Sequence, residues 1–307
     1  MNDSTSRPIL CFGEILWDSL PRGLFPGGAP INVAYHLKRL GRRPLPVTAV
    51  GDDFLGQELL RRLRHWEIET RAIHTIDSKP TGAVEVELSQ TGSPRFMILE
   101  DVAWDCIQLR PSMNEWVEAA EAIVFGSLAQ RSEQNRRTLA EIFEKARDGK
   151  RVFDVNLRPP FVDHEIVWSL ARQSHLLKVN HEELGLLLAG PDQPNPEPLR
   201  PHELELPARR LADKAECASV CVTAGAWGAG WLHEGRWFWS EAEPVPVKDT
   251  VGAGDAFLAA LVNGWLRPQI EPEPILFRAC RLAEFVAAQD GATPPYTLSR
   301  TGEILAA

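Results

Sequence analysis

The chain has 307 residues, 44% hydrophobic and 24% charged, enough to bury a sizeable core beneath an ordinary polar surface. Its net charge of −9 and pI of about 5.5 speak against nucleic acid or an anionic membrane as the main partner. No apolar run approaches the roughly 18 residues of a membrane span. The start "MNDSTSRPILCFGEI" lacks the layout of a secretory signal. Cys11, Cys106, Cys217, Cys221 and Cys280 are scattered and odd in number, so they read as reduced core thiols and the cytosol is the expected compartment.

In chain order, "PILCFGEIL" reads as a first strand. "APINVAYHLKRLG" follows as a helix, with Ile31, Ala34, Leu37 and Leu40 near the 3.6 period and Gly41 as its stop. "LPVTAVG" is strand-like, and "LGQELLRRLRHW" places Leu55, Leu59, Leu63 and Trp66 on one helix face. The segment Thr81–Glu100 alternates Val84, Val86 and Leu88 with Glu85 and Glu87, turns at "QTGSP" and runs back: a hairpin with one dry face. "AIVFGSLA", "RVFDVNLR", "HLLKVN" and "ASVCVTAG" are apolar strands. Helical segments lie between them, among them "SEQNRRTLAEIFEKARDG" with Ser132 as N-cap. Apolar strands alternating with helices predict a parallel sheet covered on both faces. The hairpin is then a candidate lid over the carboxyl ends of the strands, or a plain edge hairpin. "PDQPNPEPLRP" (Pro191–Pro201) reads as an exposed loop, and "WLHEGRWFW" as a hairpin turning at Glu234-Gly235.

The stretch "DTVGAGDAF" (Asp249–Phe257) carries the chemistry. Phe257, Leu261 and Trp265 predict a helix starting near Gly254 or Asp255. A Gly252-Ala253-Gly254 loop entering a helix offers unobstructed N–H groups and the positive end of the helix dipole to a phosphate or a transferring phosphoryl group. An acidic protein binds an anion in this way as readily as a basic one. Asp255 stands there to accept a proton from an attacking hydroxyl. A helix cap at Asp255 and a plain tight turn at the glycines are the structural alternatives. The Walker pattern GxxxxGK[ST] is missing, as is GxGxxG between the first strand and helix, which turns the reading away from P-loop enzymes and dinucleotide dehydrogenases.

"DTVGAGDAF" together with "PGGAPINVAYHLKRLG" resembles the two motifs of the PfkB/ribokinase family of carbohydrate kinases. The likeness continues in family order through "VGDDFLG", "DVNLR", "KVNHEEL", "VTAGAWGAG" and "GATPP". "GEILWD", "EDVAWD" and "FGSLAQR" further resemble the fructokinase-like branch. The fold this resemblance implies is α/β: a ribokinase-like three-layer sandwich with a mostly parallel central sheet and a small β-lid. Residues 1–307 would form one domain, with 81–103 contributing the lid hairpin together with part of 16–26.

The resemblance also implies roles. Asp255 is the catalytic base, and Gly252, Ala253 and Gly254 form the anion hole. Asp18, Gly27, Gly28 and Asn32 bind sugar hydroxyls, and Arg158 lies near the sugar or the transferred phosphate. Asn180 and Glu183 match an N-x-x-E motif acting on Mg²⁺ and phosphates largely through water. Thr223, Gly225 and Gly228 match the nucleotide-binding loop, and Asp249 the residue beside a monovalent cation, usually K⁺. Duller readings stand beside these: a turn cap at Asp18 or Asp249, a surface ion pair at Arg158, a helix-dipole role at Glu183. His181 reads as a surface bystander. Trp104 and Asp105 either close over the sugar or pack.

The implied activity is ATP-dependent phosphorylation of a sugar hydroxyl, D-fructose to fructose 6-phosphate first, with ATP, Mg²⁺ and K⁺. The alternatives are 2-keto-3-deoxygluconate, ribose or another sugar, a nucleoside, or a non-catalytic sugar or nucleotide sensor on the same fold. Sugar and ATP are the expected partners, with no nucleic acid or membrane, and the "VEVEL" strand offers a surface for a homodimer.

Overall fold

The computed structural model describes residues 6–20, 23–88, 94–190, 199–299 and 302–306. The "QTGSP" turn and the Pro-rich stretch lie largely outside these residues, as do the side chains behind the Glu85–Leu88 alternation and the "VEVEL" face.

The first half of the chain runs β1 (Ile9–Phe12), β2 (Leu16–Leu20), β3 (Gly23–Gly27), α1 (Ala29–Arg39), β4 (Pro44–Gly51), α2 (Phe54–His65), β5 (Ile73–Ile76), β6 (Gly82–Leu88), β7 (Pro94–Ile98), α3 (Asn114–Glu118), β8 (Ala122–Gly126), α4 (Glu133–Lys145) and β9 (Lys150–Asp154). The second half runs α5 (His164–Arg172), β10 (Leu176–Asn180), α6 (His181–Ala189), α7 (Glu205–Ala215), β11 (Ser219–Thr223), β12 (Gly228–His233), β13 (Arg236–Glu241), α8 (Ala253–Trp265), α9 (Pro272–Ala287), β14 (Tyr296–Leu298) and β15 (Ile304–Ala306).

Nine strands form the central sheet in the order β13-β12-β11-β10-β9-β8-β1-β4-β5. Pairing is parallel from β11 to β5, and the β12–β13 hairpin adds an antiparallel edge. The sheet is covered on both faces, which is why its inner strands β1, β4 and β8 are buried at every residue. Alternate residues of β1 enter two separate cores. Ile9 and Cys11 pack with α1, α2, α8 and α9, while Leu10 and Phe12 pack with α4, α5 and α7. This is the expected three-layer sandwich.

The second sheet is small and mixed, in the order β3-β2-β6-β7. β2 pairs antiparallel with β3 and parallel with β6, and β6 pairs antiparallel with β7. Here the single strand expected over "PILCFGEIL" is corrected. β1 stops at Phe12, and Leu16 pairs with Gly27 in the small sheet. The break is at Gly13, whose φ of +144° and close contact with Pro30 (2.8 Å from an added Cβ) are closed to other residues. The chain crosses from one sheet to the other through Glu14 and Ile15.

Helix caps follow the sequence. Ser132 accepts from the Asn135 N–H at the start of α4, and Asp53 from the Gly56 N–H at the start of α2. All five cysteines are free thiols. Among the described residues no helix is long and apolar enough to cross a membrane.

Candidate active site

The carboxyl ends of β1, β9 and β10 and the amino end of α8 converge on one place. Gly252 caps α8 with φ +78°, and a Cβ there would lie 2.3 Å from the Ala292 Cβ. The loop therefore rests directly on the "GATPP" segment and needs glycine both for its conformation and for its contact. Asp255 sits in the first helical turn. Its Oδ2 accepts a hydrogen bond from Asn32 Nδ2 at 2.8 Å.

α1 serves as the wall opposite. One helical stripe carries Asn32, Tyr35 and His36. Tyr35 donates to the Pro294 carbonyl at 2.8 Å, and His36 bonds to the Ala292 carbonyl at 3.0 Å and to the Tyr296 hydroxyl at 3.1 Å. Burial pushes the His36 pKa down to about 4, so it is a neutral structural histidine. These contacts fix α1 against both the anion loop and the segment beneath it.

Beneath Gly254 lies a charge pair that the sequence reading did not single out. Lys178 on β10 and Asp154 on β9 are register partners, and Nζ donates to the two carboxylate oxygens at 3.0 and 3.3 Å. Both side chains are buried. A Cβ on Gly254 would lie 3.2 Å from Lys178 Nζ. Burial opposes the lysine charge, but Asp154, Glu183 and Asp255 outweigh it and hold the pKa above the ordinary value. The Lys178 ammonium, paired with Asp154, thus stands behind the Gly252–Gly254 loop. Burial, then the nearby Asp154, push Asp255 up to about 6; Asn32, Lys178 and Arg158 pull the other way. A carboxyl with that value is ionised at neutral pH and takes up a proton readily.

Glu14 was also missed. Its Oε1 accepts from the Ala29 N–H at 3.3 Å, while Oε2 is buried without a partner among the described residues. Burial dominates and lifts it to about 7. Gly28 lies against the Glu14 carbonyl, 2.4 Å from where a Cβ would sit. Asp18 lies against Gly27, its Oδ2 2.0 Å from an added Cβ there. Burial raises Asp18 to about 6, with Arg158 lowering it and Asp249 raising it. Asp18, Gly27, Gly28, Asn32, Arg158 and Asp255 are therefore brought to one region. Arg158 is exposed, and its Nη1 donates to the carbonyl of Leu157 at 3.1 Å.

The expected nucleotide-side residues sit further along the sheet edge. Asn180 and Glu183 cap one another: Asn180 Oδ1 accepts from the Glu183 N–H at 2.7 Å, and Glu183 Oε2 from the Asn180 N–H at 2.9 Å. Glu183 Oε1 accepts from the Leu157 N–H at 2.9 Å. With each carboxylate oxygen holding a backbone N–H, Glu183 suits a water-mediated role toward a cation better than direct ligation. Among the described residues no group of three or more His, Cys, Asp or Glu could hold a metal. The donor set fits a cation that arrives on nucleotide phosphates and keeps its waters, as magnesium does. Thr223 ends β11, and Gly225 and Gly228 frame the turn into β12. Trp227 in that turn is half exposed and meets the His181 ring edge-on at 5.3 Å. Asp249 accepts from the Val251 N–H at 3.0 Å in the turn before the anion loop.

Trp104 resolves to the packing alternative: it is fully buried. Asp105 pairs with Arg131.

The chain matches the model of the pfkB family carbohydrate kinases over residues 22–298 and belongs to that family. It is 30% identical to an uncharacterized sugar kinase of Pyrococcus horikoshii over 79% of this chain and 74% of that one. The structure of that kinase in complex with ATP superposes with a TM-score of 0.71 at 25% identity, over 93% of each chain. It is also 26% identical to the fructokinase of Salmonella typhimurium, over 91% of this chain and 93% of that one. A double mutant of the fructokinase of Vibrio cholerae, solved with fructose, ADP and a potassium ion, superposes with a TM-score of 0.75 over 94% of each chain; at 21% identity this likeness bears on the fold alone. The fold is ribokinase-like, and the protein is a sugar kinase, a phosphotransferase acting on a carbohydrate.

Proposed function

We propose that the protein transfers the γ-phosphoryl group of ATP to the 6-hydroxyl of D-fructose. The observation that carries the phosphoryl-transfer part is the Asp255 carboxylate, held by Asn32 of α1 in the first turn of α8, directly after Gly252-Ala253-Gly254. Asp255 takes the proton of the acceptor hydroxyl as that oxygen attacks phosphorus. The loop N–H groups and the α8 dipole stabilise the charge on the transferring group, and the buried Lys178 adds a fixed positive charge behind them. Asp18, Gly27, Gly28 and Asn32 hold the sugar hydroxyls, and Arg158 faces the sugar or the phosphoryl group. A magnesium ion arriving with the nucleotide would neutralise phosphate charge. Asn180 and Glu183 would hold its waters, Thr223, Gly225 and Gly228 would hold the nucleotide, and Asp249 would help hold a potassium ion.

The four-stranded sheet formed by β2, β3, β6 and β7 acts as the lid, so that 81–103 and part of 16–26 close over the sugar and exclude water as a competing acceptor. Fructose is preferred to other sugars because fructokinases recur among the relatives and because "GEILWD", "EDVAWD" and "FGSLAQR" resemble that branch. The compartment is the cytosol.

The test is ADP release from Mg-ATP with fructose, glucose, ribose, 2-keto-3-deoxygluconate and adenosine, with and without K⁺. Turnover on fructose well above the rest, raised by K⁺, is the expected result. Turnover on another member of the panel replaces the substrate and keeps the mechanism, whereas ATP binding without any turnover favours a sensor.

A further inference from the structure

Two stretches resemble the fructokinase-like branch, "EDVAWD" (100–105) and "FGSLAQR" (125–131). In the fold they meet. Arg131, the last residue of the second, donates from Nε to Asp105 Oδ1 and from Nη2 to Asp105 Oδ2, both at 2.8 Å. Nη2 also donates to the Leu99 carbonyl at 2.6 Å. The guanidinium carbon lies 4.0 Å from the Trp104 ring centroid and 4.5 Å from that of Phe161. One planar cation is thus held along its edge by a carboxylate and packed against two aromatic rings.

The groups it joins belong to different parts of the molecule. Leu99 follows β7, and its N–H donates to the Ala83 carbonyl of β6 at 3.2 Å, so it is the root of the small sheet. The Trp104 indole occupies the space beside Gly82, with Nε1 2.3 Å from where a Cβ would lie. On the far side, Phe161 closes the turn that carries Arg158, its N–H donating to the Arg158 carbonyl at 2.8 Å. Val102, Trp104, Leu128 and Ala129, with Phe161 packed on them, form a cluster separate from both cores of the central sheet. Packing alone would do as well with apolar residues here, since an ion pair so largely desolvated, its side chains 9% and 13% exposed, is often no better than a well-packed apolar replacement. What the guanidinium adds is a fixed direction between the sheet root and the Arg158 turn.

We propose that Arg131 is a positioning residue for phosphoryl transfer, tying the root of the lid to the turn that carries Arg158. Closing of the lid over the sugar and placement of the Arg158 guanidinium then occur together. This rests on the reading of the small sheet as a sugar lid and of Arg158 as a residue of the sugar and phosphate site.

The experiment uses the full chain with Mg-ATP and D-fructose. Arg131→Lys keeps the charge and loses the fork; Phe161→Leu keeps the Arg131–Asp105 pair and loses the ring that reaches the Arg158 turn. Each is expected to lower kcat/KM for the sugar by about tenfold to a hundredfold, with the ATP KM within about twofold of wild type. In an Arg158→Ala background each should cost less than about twofold more, because the group being positioned is gone. Losses that multiply in that background, or an equal rise in the ATP KM, overturn the proposal. Should Arg131→Lys fail to fold, the Phe161→Leu cycle decides alone, its folding checked by cooperative thermal unfolding. Wild-type silence on every member of the panel overturns the function reading and this inference with it; wild-type turnover with multiplying losses overturns the inference only.

Discussion

Asn32 and Asp255 lie 223 positions apart and are joined by a single hydrogen bond of 2.8 Å, from the amide Nδ2 to the carboxylate Oδ2. It links the helix expected to face the sugar to the helix that carries the anion loop. It also steadies the ionised form of a carboxyl that burial, even with this bond in place, pushes up to about 6.

The pH profile should report this bond. A base must be deprotonated, so kcat/KM is expected to fall with unit slope below pH 6 as Asp255 takes up a proton. Asn32→Ala removes a donor to the carboxylate and should move that acid limb upward by about one pH unit. A limb that stays in place would show that Asp255 is not the titrating group.

Asp18 is half-buried against Gly27; burial raises its pKa most, with Arg158 lowering it and Asp249 raising it. Asp18→Ala is expected to raise the sugar KM by about tenfold or more, the loss of a hydrogen bond to a charged group, while the ATP KM stays within about twofold. Equal effects on both substrates would move Asp18 out of the sugar site.

Gly252 can be probed without touching charge. In Gly252→Ala the new Cβ would meet Ala292 at 2.3 Å with the backbone at φ +78°, so the loop must shift. A displacement near 1 Å at the reacting centre costs about a hundredfold in turnover. Wild-type kcat in this variant would mean that the loop does not contact the transferring group.

Glu14 makes a prediction about stability. Native Glu14 keeps its proton up to about 7, whereas an ordinary glutamate releases it near 4.5. The native state therefore holds the extra proton, and stability from this group is full below 4.5 and lost as the pH rises through 7. The gap corresponds to roughly 3 kcal/mol. Glu14→Gln should flatten the fall in unfolding free energy between pH 5 and pH 8 by about that amount. Parallel curves for variant and wild type would show that Glu14 is ionised in the native state.

Much of this site was legible in the sequence because its residues lie in short stretches with distinctive local chemistry. Gly252 to Asp255 announce a helix start beside an anion, and Gly27, Gly28 and Asn32 another helix start facing it. The apolar strands and the caps at Ser132 and Asp53 follow from local pattern and side-chain reach. What stayed hidden depends on neighbours distant in the chain. Lys178 and Asp154 become partners only when β9 and β10 align, although a lysine within "HLLKVN" and an aspartate within "RVFDV" were signals that a buried charge needed an opposite one. Glu14 looked like one residue of a single long strand. Its burial comes from the break at Gly13, which a run of apolar residues on both sides concealed. Trp104 and Asp105 allowed two readings until Arg131 arrived from 26 positions away.

The most direct test of the account is turnover by Asp255→Asn beside wild type, with Mg-ATP and D-fructose, and ATP affinity measured calorimetrically on both. The expected result is a loss of about 10³-fold in kcat, within the range for removing a general base, and an ATP Kd within about threefold of wild type. An Asp255→Asn protein that turns over within tenfold of wild type would contradict the assignment of Asp255 as the base and, with it, the mechanism built on this site.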